Sequence, residues 1–241
     1  MFHTIFYEPV YNLIVVILNL VPLHDIGAAI VIVTLIVKVL LLPLNLSALR
    51  TQYMMKKIEP EMKKIKELQK KDPQAAGKQM VELYRKDKIN PFSSLFAMLL
   101  QIPVFFALYF VFSKGLFSDP NSLYSFVTFP ATLHTHAFGL FDVTQKNILI
   151  AVFAGISSYF LAKRQTQGMV ETKKEIKEES FQDHFMKSMR LQMLYMLPLI
   201  ISFSAAFLPS ALGLYWFVSN LVSIWLDVYM KKKLAHLKPE H

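Results

Sequence analysis

The chain has 241 residues, is 54% hydrophobic with 20 phenylalanines, carries a net charge of +9 and contains no cysteine. The missing cysteine excludes disulfides, thiolate metal sites and a lipidated N-terminal cysteine. The apolar residues run in long blocks rather than periodic stripes, which is membrane composition and excludes an ordinary water-soluble domain.

Residues 1–25 hold an apolar stretch, 10–21, that lacks the preceding positive charges and small-residue cleavage site of a signal peptide. At 12 residues the stretch also falls short of the about 20 that cross a bilayer. Glu8, Asn12 and Asn19 fall near one helical face, Pro9 suits a helix start and Pro22 a stop. The expectation is an N-terminal interfacial amphipathic helix, with a sixth, tilted span as the alternative.

Residues 26–49 form the first expected span. They are uncharged except for Lys38, which has 12 residues before it and 11 after. A cation near the bilayer midplane costs about 2.5–3.5 kcal/mol on insertion scales and marks a functional position by default. The plainer alternative is a long side chain snorkelling to an interface. Thr34 lies one turn from Lys38 on the same side.

Residues 50–90 are basic, with 12 Lys/Arg against 6 Asp/Glu, and split at Lys70-Lys71-Asp72-Pro73, a turn signal. Met55, Ile58, Met62, Ile65 and Leu68 recur at helical spacing before the break, and Ala76, Met80, Leu83 and Tyr84 after it. Two amphipathic helices in a cytoplasmic hairpin are expected. Their stripes either pack on each other or, through Met54, Met55, Met62 and Met80, offer an adaptable surface to partners or lipid.

The second span, 91–113, carries Gln101 at its middle beside Pro103, which removes a backbone bond and kinks a helix. The polar segment 114–146 reads as an extracytoplasmic loop; its His134 and His136 lack a third ligand at recognisable spacing, so no metal is expected. The third span, 147–162, has 16 residues and reaches about 24 Å, short of a hydrocarbon core of about 30 Å. A cytoplasmic loop, 163–190, follows, and its run of lysines and glutamates at 173–179 reads as a solvated helix face. Spans four, 191–208, and five, 211–230, are joined at Pro209-Ser210, and a basic cytoplasmic tail, 231–241, ends the chain.

Segments 50–90, 163–190 and 227–241 hold 23 of the 26 basic residues and follow spans one, three and five. The positive-inside rule puts them in the cytoplasm, giving a multi-pass plasma-membrane protein with its N-terminus out and C-terminus in. Such charge suits a membrane surface or ribosomal RNA at the cytoplasmic face rather than DNA. The spans also contain Ser157, Ser158, Ser202, Ser219, Asn220 and Ser223, but no carboxylate near a midpoint. The sequence has no Gly-rich phosphate loop, no HExxH pair and no paired intramembrane carboxylates. No enzyme activity and no cofactor are expected.

Four stretches resemble the YidC/Oxa/Alb family of membrane protein insertases. Thr34 to Lys38 followed by Leu42-Pro43-Leu44 is similar to the family's first core span with its intramembrane basic residue. Asn90-Pro91 resembles the end of its cytoplasmic hairpin. Gln101-Ile102-Pro103 through Tyr109 resembles its second core span, and Pro209-Ser210-Ala211 through Tyr215-Trp216 and Asn220 the start of its last. The resemblance covers about residues 5–235. Two positions depart from the pattern: lysine stands where arginine is frequent, and Ala211 where the family has glycine. Lysine loses its charge more readily than arginine on desolvation. The chain reads as a minimal core without the family's larger terminal domains.

The resemblance implies an all-α polytopic fold of five transmembrane helices around a polar groove open to the cytoplasm and to lipid. Lys38, Thr34 and Gln101 would line the groove, and Pro103, Phe106, Tyr215 and Trp216 would form the slide past which a substrate helix leaves. It implies insertion and folding of nascent membrane proteins without nucleotide hydrolysis. The implied partners are those nascent chains, the ribosome, membrane lipids and the Sec translocon. Two other classes stay open on the residues alone: a small transporter or channel that binds an anion at Lys38, and a structural assembly factor.

Overall fold

The structure, a computed structural model, describes residues 1–69, 71–87, 89–90, 92–114, 119–166, 188 and 191–234. The expected solvated helix at 173–179, Pro91 and the tail from 235 onward lie outside the described residues. The chain divides into two compact units: Met1–Leu40 with Leu100–Trp225, and Leu41–Leu99 with Leu226–His241.

The first unit begins with a wide π-helical turn, His3–Tyr7, that runs into α1, Glu8–Leu20. Tyr11, Ile14, Val15 and Leu18 are fully buried at i, i+3, i+4 and i+7, so one face of α1 is core. The helical segment is longer than the apolar stretch 10–21 because it continues through Pro9. The Glu8 N–H reaches back to the His3 carbonyl, and this wider turn relieves the clash a proline ring makes with the preceding turn. Asn12 is buried. Its amide nitrogen donates to the Ser122 carbonyl at 2.8 Å and its oxygen accepts from the Tyr124 N–H at 2.7 Å. Asn19 donates to the Thr128 carbonyl at 2.7 Å. The polar face of α1 therefore holds the loop that precedes β1.

Asp25 starts α2, Ile26–Leu40: one carboxylate oxygen accepts from the Ala28 N–H and the other from the Phe138 N–H. Buried positions 26, 29, 30, 33, 34, 37 and 38 form one stripe of α2, while Ile32, Leu35 and Val39 face outward. The uncharged run 26–49 is not one helix. It breaks at Leu41, where α3, Leu42–Lys57, begins with Pro43 in its first turn. Proline removes a donor and disfavours helical geometry in the residue before it, so the helix restarts there.

In the second unit, α3, α4 (Glu59–Gln69) and α5 (Pro73–Lys86) bury Met54, Ile58, Ile65, Ala76, Leu83 and Ile89 together, with Met55, Met62, Leu68, Met80 and Tyr84 packed against them. The methionine stripes pack on each other. Asp72 caps α5, accepting from the Gln74 and Ala75 N–H groups at 3.0 Å each. Ser93, near the start of α6 (Phe92–Lys114), donates to the Thr51 hydroxyl at 2.8 Å.

In the first unit the loop after α6 ends in a short hairpin, β1 (His136–Ala137) and β2 (Phe141–Asp142), followed by α7, Ile148–Thr166. At 19 residues α7 is about 28 Å long, because Lys163 and Arg164 are still helical. A second π-helical turn, Gln192–Met196, leads into α8, Leu197–Phe207. Gly155 of α7 lies against α8 so closely that a Cβ there would meet Ser202 Cβ at 2.6 Å. Ala151, Ala154 and Ala205 complete this small-residue contact. Pro209 separates α8 from α9, Ser210–Leu234. The Ser210 and Ala211 N–H groups donate to the Gln145 and Val143 carbonyls at 2.8 and 2.9 Å, which fixes the start of α9 on the hairpin.

By length and composition, two helical segments among the described residues can cross a membrane: His3–Leu20, of mean hydropathy 1.2, and Ser210–Leu234, of 1.4. The pair α2 and α3 makes a third if taken as one broken span, and Leu99–Ser113 and Gln192–Phe207 are shorter apolar helices.

Candidate functional site

Helical periodicity puts Lys38 on the same stripe of α2 as the core residues Ile30, Val33 and Val37. The side chain is 7% exposed. Its Nζ donates to the Ser223 hydroxyl of α9 at 3.0 Å, and that hydroxyl donates in turn to the Ser219 carbonyl one helical turn back, at 2.9 Å. Among the described residues no carboxylate stands within ion-pairing distance of Lys38. The cation is thus held by a neutral dipole. An ammonium has three donors, and Ser223 takes one.

The other expected groove residues fall into different roles. The Thr34 hydroxyl donates to the Ile30 carbonyl of its own helix at 2.6 Å, so its hydrogen is committed within α2. The Gln101 amide donates to the Tyr215 hydroxyl, bridging α6 and α9. Tyr215 is 2% exposed, so its ring lies inside rather than along an open surface. Phe105 stacks on Trp216, with ring centroids 4.9 Å apart and planes at 17°. Phe106 stands edge-on to Phe105 and is 44% exposed. Pro103 lies within the continuous helix α6, two residues after Gln101.

Ser223 and Ser219 complete this constellation. Their presence in a long apolar block was the available signal, but only the side-chain contact between α2 and α9 assigns Ser223 to Lys38. A second polar pairing joins α9 to α7: Asn220 donates to the Ser157 and Ser158 hydroxyls at 3.0 and 2.8 Å. Two apolar recesses border α7, one toward α9 and one toward α8, and neither is lined by Lys38, Thr34 or Gln101.

A nearly buried cation with a hydroxyl partner, a helix carrying Gln101 and Pro103 and a last helix entered through Pro209-Ser210 are features shared with known proteins only if the whole chain matches them. Residues 17–237 match the model of a family described as 60Kd inner membrane protein. The chain belongs to this family, the YidC/Oxa/Alb family. A protein of Clostridium tetani named membrane protein insertase YidC is 32% identical over 213 residues, covering 88% of this chain and 84% of the relative. A protein of the same name from Francisella tularensis subsp. novicida is 32% identical over 200 residues, which is 82% of this chain but 31% of the relative. The chain therefore spans most of the clostridial protein and under a third of the Francisella one. The family is one of membrane insertases, not of enzymes in the usual sense.

Proposed function

We propose that this chain inserts nascent membrane proteins into the bacterial plasma membrane, using Lys38 as a positively charged group in a polar groove among five spans. The observation that carries this reading is the pairing of a nearly buried lysine with a hydroxyl and with no carboxylate among the described residues. A cation neutralised by a carboxylate would have little field left for a visitor; one held by Ser223 keeps most of it. The orientation is N-out and C-in, from the basic segments after spans one, three and five.

In this reading the acidic or polar extracytoplasmic segment of a passenger enters from the cytoplasm and is solvated near Lys38 and Gln101. The midplane cost of each translocated charge falls accordingly. The passenger's apolar helix then leaves along Pro103, Phe106 and Trp216, with Tyr215 setting the position of α6 from behind. Partition of a span of about 20 residues into lipid, at roughly −0.3 to −0.6 kcal/mol per strongly apolar residue, drives the last step. No nucleotide is needed, since the protein lowers a barrier and supplies no work. The α4–α5 hairpin faces the ribosome, and the Sec translocon and lipids are further partners.

Photocrosslinkers at positions 103 and 216, presented to a ribosome-bound nascent chain with one span, test this. Crosslinks to the nascent chain support insertion. Anion flux in liposomes without such crosslinks favours a transporter built on the same lysine, and crosslinks only to folded membrane complexes favour an assembly factor.

A further inference from the structure

A recess of about 390 Å³ lies along α7 and α9, within the range of about 300–1,000 Å³ typical of ligand sites. Ile156 and Phe160 of α7 and Phe217 and Leu221 of α9 line its length, and Lys163 and Arg164 stand at one end. The geometry has a local cause. Asn220 draws the helices together through Ser157 and Ser158, and the large rings on the outer side, Phe153 and Phe217, keep centroids 5.8 Å apart and leave a trough beside them. Ile156, Phe160 and Leu221 each remain about half exposed along it.

The trough is chemically polarised. From Phe153 to Lys163 it runs about 15 Å along the helix and is apolar, apart from Ser157, until both cations appear at the same end. That pattern is the complement of an amphiphile with an apolar chain and an anionic head. Arginine presents a planar fork to phosphate oxygens and lysine a point charge, and basic pockets between spanning helices on the cytoplasmic side hold acidic headgroups.

We propose that this trough binds an anionic glycerophospholipid, with its phosphate at Lys163 and Arg164 and one acyl chain against Ile156, Phe160, Phe217 and Leu221. The proposal rests on reading α7 and α9 as membrane spans with α7 ending at the cytoplasmic face, and it is independent of insertase activity.

The test uses the purified full chain in nanodiscs of equimolar phosphatidylglycerol and phosphatidylcholine, then delipidation and native mass spectrometry of the lipid retained. The wild type is expected to keep phosphatidylglycerol in preference. Lys163→Gln with Arg164→Gln should lower that preference about ten- to thirtyfold. Leu221→Trp, which fills the trough and leaves the cations in place, should lose the lipid as well. Lys231→Gln, Lys232→Gln and Lys233→Gln together should not. Equal retention of both lipids by the wild type, an unchanged preference in the Lys163/Arg164 variant, or a loss confined to the triple variant would overturn the site. Displacement by soluble glycerol phosphate would likewise reduce it to an anion site. Alkaline extraction of the chain from vesicles separates the two failures: a chain that washes off ends the membrane reading, whereas one that stays without lipid preference ends the lipid site alone.

Discussion

The Lys38 ammonium and the Ser223 hydroxyl meet at 3.0 Å although 185 positions separate them in the chain. Lys38 lies in the last turn of α2, just before the break at Leu41, and Ser223 lies in α9 one turn after Ser219. The bond joins the first and last helices of the site and leaves the charge itself uncancelled.

Ser223→Val should therefore destabilise the protein. A hydrogen bond to a charged group contributes about 1.5–3 kcal/mol, and its removal leaves a buried cation without that acceptor. Thermal unfolding in detergent should show a lower Tm for Ser223→Val and a near-normal one for Ser223→Thr, which keeps the hydroxyl. Equal values for Ser223→Val and the wild type would mean that Lys38 draws nothing from Ser223.

Gly27→Ala should disturb the seat of α2 on the hairpin. A Cβ at Gly27 would lie 2.6 Å from the Ala137 Cα, a backbone atom that cannot swing away, and closer still to the Ala137 Cβ. Overpacking of this kind costs about 1–3 kcal/mol. Gly77→Ala in α5 meets nothing within 4 Å and should be neutral or stabilising by about 0.4–1 kcal/mol. Unfolding midpoints of the two variants, compared side by side, check the contrast.

Acid should loosen the turn after β2. Partial burial of the Asp142 carboxyl opposes ionisation, but hydrogen bonds from the Thr144 side chain and N–H, the charge on His136 and a bond from Thr135 outweigh it and hold the group below its ordinary 3.8. A carboxyl depressed in the folded state adds stability that is complete above the ordinary value and is lost as pH falls through the folded one. Hydrogen exchange at the Thr144 amide should accordingly gain an extra acid-dependent opening below about pH 4, and Asp142→Asn should abolish that dependence.

Much of this was legible in the sequence. Lys38 stood out because one charge in an uncharged run has few structural excuses. The hairpin stripes ending at Leu68 and Tyr84 were visible because helical spacing alone decides which residues meet, and they do form one core. The break at Leu41 was hidden because hydropathy does not weigh the donor that Pro43 lacks. Asn12 and Asn19 read as one polar face of an amphipathic helix, yet their amides bind the Ser122 and Thr128 carbonyls more than 100 positions away, a pairing no local pattern encodes. Ser223 is one hydroxyl among several in the apolar blocks, and only its hydrogen bond from Lys38 across the fold singles it out.

The sharpest measurement is insertion of a single-span substrate with an acidic translocated segment into vesicles containing Lys38→Glu, with Lys38→Arg and Lys38→Met alongside and the amount of each protein in the membrane matched. A working positive charge predicts near-normal insertion with Lys38→Arg and a loss of about tenfold or more with Lys38→Glu, Lys38→Met falling between them. Insertion by Lys38→Glu equal to the wild type would contradict the account.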